Sequence, residues 1–184
     1  AGYEQMMATT TKLNTPGPDL AALSGVHAIT DVTGFGLAGH ALELARGAQC
    51  ALEIVWWAAP LWSAVRALAT QGFVRGASGR NWSGYGADVT LPPTFAAEDK
   101  ALLSDPQTSG GLLVSCSPSS VDQALPVFRR HGVDGGLRVD QPGETRDRAL
   151  AFTARGRAHA DSRRAQIDDQ HADGLVRGHP GEPL

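Results

Sequence analysis

Apolar positions along the chain change period repeatedly, and each change marks an element. Residues 1–14, AGYEQMMATTTKLN, carry Tyr3, Met6, Met7 and Leu13 at helical spacing, which predicts an amphipathic helix with those four as its apolar face. Pro16, Gly17 and Pro18 break that pattern. VHAITDV, residues 26–32, is β-rich and loosely alternating, a strand. GLAGHALELARG follows with Leu37, Ala41, Leu44 and Ala45 on one helical face and Gly47 as the expected C-terminal cap. CALEIVW predicts a second strand, and PLWSAVRALATQG a helix with Pro60 in its first turn and Gly72 past its end.

Residues 73–89, FVRGASGRNWSGYGADV, read as a glycine-rich connection, too long for a simple turn. FAAEDKALLS then predicts a short helix, and GGLLVSCS a buried strand. SVDQALPVFRRHG is helical, with Pro126 either kinking the helix or preceding its start. GGLRVDQ reads as a last short strand. Strands alternating with helices in this way indicate an α/β or α+β layered domain. Beyond about residue 145 the sequence mixes Arg and Asp with few large apolar residues, and no period is sustained past RALAF. Such a segment buries too little surface to offset the entropy of ordering it, so 145–184 is expected to be a mostly disordered tail.

Composition adds boundaries. The 184 residues suffice for one domain with a real core, and 42% hydrophobic with 19% charged residues is a globular balance. A net charge of −3 supplies no field to attract nucleic acid or an anionic membrane. Cys50 and Cys116 lie far apart, outside any metal-binding or disulfide spacing, and are expected to be small packing residues in a reduced, cytoplasmic protein. The longest apolar stretch, ALEIVWWAAPLW, is interrupted by Glu53 and is too short to span a bilayer. The chain opens inside a helical pattern and without Met, which sets the expectation that it is a piece of something longer.

Two stretches carry candidate chemistry. In DVTGFGLAGHALELARG, Gly34, Gly36 and Gly39 form G-x-G-x-x-G between a strand and a helix, with Glu53 some way on. A dinucleotide site would use these glycines for a pyrophosphate and Glu53 for a ribose. Asp31 opposes that reading, because a carboxylate at the turn repels a pyrophosphate, and Glu53 sits inside its strand instead of at its end. Alternatively, Asp31 holds Mg²⁺ while the helix N-terminus meets phosphate oxygens, since magnesium is bound through one or two carboxylates plus water and substrate phosphates. A third reading makes Asp31 only a cap on the following helix. In the second stretch, LLSDPQTSGGLLVS, Thr108, Ser109, Gly110 and Gly111 form either an anion-binding nest or an ordinary helix-to-strand turn.

HAITDVTGFGLAGHALELARG, GASGRNWSGYG and LLSDPQTSGGLLVS, in this order and spacing, resemble the C-terminal half of the selenide, water dikinase (selenophosphate synthetase) family, from about residue 3 to about residue 143. The resemblance implies the layered α/β sandwich of the C-terminal domain in the aminoimidazole ribonucleotide synthetase superfamily. It implies conversion of ATP, selenide and water to selenophosphate, AMP and orthophosphate by a Mg²⁺-dependent homodimer, with ATP held mainly by an N-terminal domain. That domain also brings a glycine-rich segment with a catalytic Cys or selenocysteine and a Lys. Carried over, Asp31 matches the acidic residue of the family's TDVTGFG motif that contributes to magnesium binding. Asn81, Asp105, Gln107 and Thr108 match the other motifs without an assigned role; shaping loops beside the ATP site and a purely structural part are both open.

Residues 1–144 are thus expected to form the C-terminal domain. Nothing in the sequence resembles the nucleophile segment, so no catalytic residue is assigned and the chain is expected to be inactive alone. A non-catalytic, free-standing relative that binds nucleotide or another chain is the alternative class.

Overall fold

The computed structural model describes residues 2–59, 61–62, 64–133, 135–140, 148–153 and 175–178. The elements run α1 (Gly2–Thr10), α2 (Gly17–Ala21), β1 (Val26–Asp31), α3 (Gly36–Ala48), β2 (Leu52–Val55), α4 (Val65–Thr70), α5 (Gly76–Tyr85), β3 (Val89–Thr90), α6 (Ala97–Leu103), β4 (Leu112–Cys116), α7 (Val121–Arg130), β5 (Gly135–Asp140), β6 (Arg148–Thr153) and β7 (Leu175–Gly178). The seven strands make one sheet in the order β1-β4-β6-β5-β2-β7-β3. Each described pairing is antiparallel.

β4 shows why the layers form. Its run of Leu112, Leu113, Val114 and Cys116 is apolar on both faces, as a strand covered on both sides must be. Alternation sends Leu113 to one side, where it packs with Val32, Ala38, Leu42, Ala45, Ile54 and Leu103 under α3 and α6. Leu112, Val114 and Cys116 point the other way, against Leu20 of α2 and Ala124, Val127 and Phe128 of α7. The result is the layered α/β sandwich expected from the sequence. Cys116 is buried in this second core, and neither cysteine forms a disulfide. No helix among the described residues is long and apolar enough to cross a membrane.

Several elements differ from the sequence reading. α1 forms but ends before Leu13, and the four apolar side chains expected on its buried face stay out of the core: Tyr3 is 71% exposed and Leu13, beyond the helix, 75%. α3 runs through Gly47, and the left-handed cap is Gln49, with φ 51°. α7 continues through Pro126, which occupies its interior. The glycine-rich connection contains a ten-residue helix, α5. Glycines at 76, 79 and 84 lower intrinsic helix propensity by about 1 kcal/mol each relative to Ala, so local sequence argues against it. Contacts to other elements supply what propensity lacks.

Within 145–184, read from the sequence as a mostly disordered tail, residues 148–153 and 175–178 are strands of the sheet. β6 pairs with β4 over Leu112↔Phe152 through Cys116↔Arg148, and β7 pairs with β2 and β3. The other residues of that segment lie outside the described ones. The physical reason for the difference is that strand pairing satisfies backbone groups whatever the side chains are. A short strand beside an existing edge therefore needs little periodic signal of its own.

A candidate metal and phosphate site at the end of β1

Three segments distant in sequence meet at the C-terminal end of β1. Past Asp31, which pairs with Leu112, the chain stays extended: Val32 N donates to Gly111 O (3.0 Å), Gly110 N to Val32 O (3.2 Å) and Gln107 N to Thr33 O (2.9 Å). The 105–111 loop thus zips onto the strand's continuation. Val32 is buried against α3, whereas Asp31 is exposed and Thr33 half-buried.

The glycines of the turn serve close packing. Gly36 has φ +72°, and a Cβ there would stand 2.6 Å from the carbonyl carbon of Ser104. A Cβ on Gly39 would meet Tyr85 at 3.0 Å, and one on Gly110 would collide with Val32 O. Around Gly34 there is open space. Two of the three G-x-G-x-x-G glycines therefore let α3 approach α5 and the end of α6. Glu53 lies inside β2, four places from β1 in the sheet, or about 19 Å at ordinary strand spacing. Such a separation does not match a ribose-binding acid on the neighbouring strand.

α5 fastens the arrangement. Asn81 Nδ2 donates to Gly34 O (2.8 Å) and Ser104 O (3.0 Å), joining the glycine turn to the end of α6. Tyr85 donates its hydroxyl to Phe35 O (2.7 Å), and burial pushes its pKa up to about 12, which keeps the proton on the donor. Ser78 Oγ donates to Asp105 Oδ1 (2.9 Å), while Gln107 Nε2 donates to Asp105 O (3.0 Å). Asp105, Asn81 and Gln107 are thus occupied by internal bonds. Thr108 is exposed at the loop's surface.

Asp31 differs from these. Its carboxylate has no hydrogen-bond or ion-pair partner among the described residues, and α3 starts at Phe35 without a side-chain cap. The capping reading weighed from the sequence is therefore not what this turn does. Among the described residues no three His, Cys, Asp or Glu side chains cluster as a cation site. What remains is one exposed, unpaired carboxylate. That fits a magnesium ion held by one or two protein carboxylates with water and phosphate oxygens completing its shell.

Comparison with known proteins gives the chain a family. Residues 5–149 match the family model described as AIR synthase related protein, C-terminal domain. The chain belongs to that family. Three curated relatives show the kinship in more detail. A selenide, water dikinase of Burkholderia pseudomallei (strain K96243) is 56% identical over 149 residues, covering 76% of this chain and 42% of the relative. Another of that name, from Pseudomonas straminea, is 58% identical over 132 residues, covering 72% and 37%. One from Rhizobium meliloti (strain 1021) is 52% identical over 130 residues, covering 71% and 37%. The chain thus spans about two fifths of the length of these relatives.

In this AIR synthase related domain the sequence singles out Asp31 and misses its neighbours. Thr33, His40 and Glu43 form a hydrogen-bonded row beside it, with Thr33 Oγ1 and His40 Nε2 3.3 Å apart and His40 Nδ1 and Glu43 Oε2 2.8 Å apart. Their only sequence signal is the i, i+3 spacing of His40 and Glu43 on a helix that starts just after the turn. Asn81 has a testable share in the scaffold. An Asn81→Ala chain is expected to lose about 2 kcal/mol, because two backbone carbonyls lose their donor and one of them is partly buried. Urea denaturation followed by circular dichroism measures it.

Proposed function

We propose that this chain is the C-terminal part of an ATP-dependent selenophosphate synthetase, in which Asp31 contributes one Mg²⁺ ligand to a composite site. The reaction is ATP, selenide and water to selenophosphate, AMP and orthophosphate. The observation that carries the reading is identity above 50% to proteins named selenide, water dikinase over 71–76% of the chain. A bound cation supplies charge compensation to phosphate oxygens as phosphoryl groups transfer.

This chain's own residues do three things in that scheme. Asp31 offers a carboxylate that no internal donor consumes. The zipped 105–111 loop and α5 hold the turn rigid, so the carboxylate keeps its direction when a charged ligand arrives. Gly36 and Gly39 bring the start of α3 close to the same place, where the positive end of the helix dipole favours negative charge. The nucleophile and most ATP contacts belong to an N-terminal part, and the complete enzyme is a cytoplasmic homodimer in this reading.

The test compares the purified chain with the same chain joined to the N-terminal part of the Burkholderia pseudomallei relative. AMP release from ATP and selenide is expected only from the joined protein. AMP release by the chain alone would contradict the composite site. A joined protein that folds and binds ATP yet releases no AMP would contradict the enzymatic assignment.

A further inference from the structure

One helix among the described residues is held in place with its apolar side exposed. Tyr3, Met6 and Met7 recur at i, i+3 and i+4 and so share one side of α1, where they are 71%, 38% and 40% exposed. Thr9, on the flank of that stripe, is buried and seats the helix on the domain. Thr10, on the stripe itself, donates its hydroxyl to Met6 O (2.9 Å), so its polar atom is spent inside the helix. The chain that follows is tied down as well: Ser109 Oγ donates to Lys12 O (2.9 Å), and Lys12 Nζ donates to Gly132 O. α1 is thus a fixed helix with an apolar stripe turned to solvent. It is fastened to the same 105–111 loop that pairs with the continuation of β1.

We infer that this stripe is the seat of the N-terminal part of a longer protein, an inference that rests on reading the chain as the C-terminal part of one. Size favours a tethered occupant. A nine-residue helix is about 14 Å long and about 10 Å wide, a footprint of about 150 Å². A free-standing partner, a second copy included, needs about 800 Å² on each side. A covalently joined body faces an effective concentration of about a millimolar, so a small patch suffices. The curated relatives supply such a body, since the chain spans about two fifths of their length and its match is to a C-terminal domain. α1 is the first element in chain order, so the junction with that body falls at the stripe. Methionines suit the task, because unbranched thioether side chains adapt to an irregular surface. Through Ser109 the seat is linked to the loop bonded to Val32 and Thr33, so the docked part is anchored to the segment that borders the Asp31 turn.

Met6 and Met7 are the two methionines of this chain, which makes their oxidation by hydrogen peroxide a direct footprint of the stripe. Peptide mass spectrometry reads the rate of sulfoxide formation in the chain alone and in the same chain joined to the N-terminal part of the Burkholderia pseudomallei relative. Joining is expected to slow oxidation of both about tenfold, the occupancy that a millimolar effective concentration gives a contact of about 0.1 mM. Tyr3→Ser, at a position exposed enough to leave the circular dichroism of the chain unchanged, is expected to return most of the lost rate in the joined protein. Tyr3→Phe is expected to keep the protection. Equal rates in the chain alone and in a joined protein that binds ATP would overturn the inference. Protection that Tyr3→Ser leaves intact would do the same, because the contact would then lie off the stripe. So would protection of the chain alone that grows with its concentration, since the occupant would be a second copy. AMP release by a joined protein with unprotected methionines sinks the inference and leaves the proposed function standing; protected methionines without AMP release do the reverse.

Discussion

An Asp31→Asn substitution in the complete enzyme is expected to cut AMP formation about a hundredfold and to raise the magnesium concentration needed for half-maximal rate. Asparagine keeps the size and one carbonyl oxygen but removes the charge. In this turn the charge is unshared, because no described residue donates to the carboxylate and α3 takes no cap from it. Its loss therefore leaves folding nearly untouched and falls on the ligand alone. Losses of ten- to a hundredfold are ordinary for groups that merely support a metal ligand, so a ligand itself belongs at or beyond the upper end. Rates measured across a magnesium titration check both parts. Normal turnover with an unchanged magnesium requirement would falsify the ligand assignment, while the family membership would stand.

The largest stability effect is expected at Gly36. Alanine there needs φ +72°, a conformation that costs an L-residue about 1–2 kcal/mol. Its Cβ would also stand 2.6 Å from Ser104 C and 2.9 Å from Ser104 Cα and O, all backbone atoms at a fully buried residue. Nothing flexible is available to yield. Forcing an extra carbon into such packing costs about 1–3 kcal/mol, so the sum is about 3 kcal/mol or more. For a chain of this size that lowers the melting midpoint by about 10 °C. Gly34→Ala is the control, since a Cβ there meets nothing within 4 Å; its effect is expected within about 0.5 kcal/mol. Thermal denaturation of the two variants side by side decides the matter. Equal midpoints would mean that the turn does not pack on Ser104 as described.

Both expectations start from one short motif, yet they draw on different information. That a carboxylate precedes a glycine turn between a strand and a helix is plain in DVTGFG. That Gly36 is needed by Ser104, almost seventy residues away, is not. The same division runs through the fold. β4 and α3 announce themselves, one by an unbroken apolar run and the other by a 3.6-residue stripe, because each buries its own side chains. α5 does not, because its stability comes from what Asn81, Ser78 and Tyr85 reach on other elements. A glycine-rich helix held by distant partners leaves only a loop-like signature in its own residues.

Periodicity and turn chemistry by themselves determined that this chain builds a layered domain of helices and strands, and the motifs determined which kin it resembles and which carboxylate to watch. These are local properties: apolar spacing follows from backbone geometry, and a strand end followed by glycines is a local arrangement. Only the tertiary structure decided that Asp31 has no partner among the described residues, that Asn81, Asp105 and Gln107 are consumed internally, and that His40 lies between Thr33 and Glu43. It also decided the sheet order and the strands at 148–153 and 175–178. Whether a polar atom is spent or available depends on every other polar atom within about 3 Å, the reach of a hydrogen bond, and only the folded chain sets those neighbours.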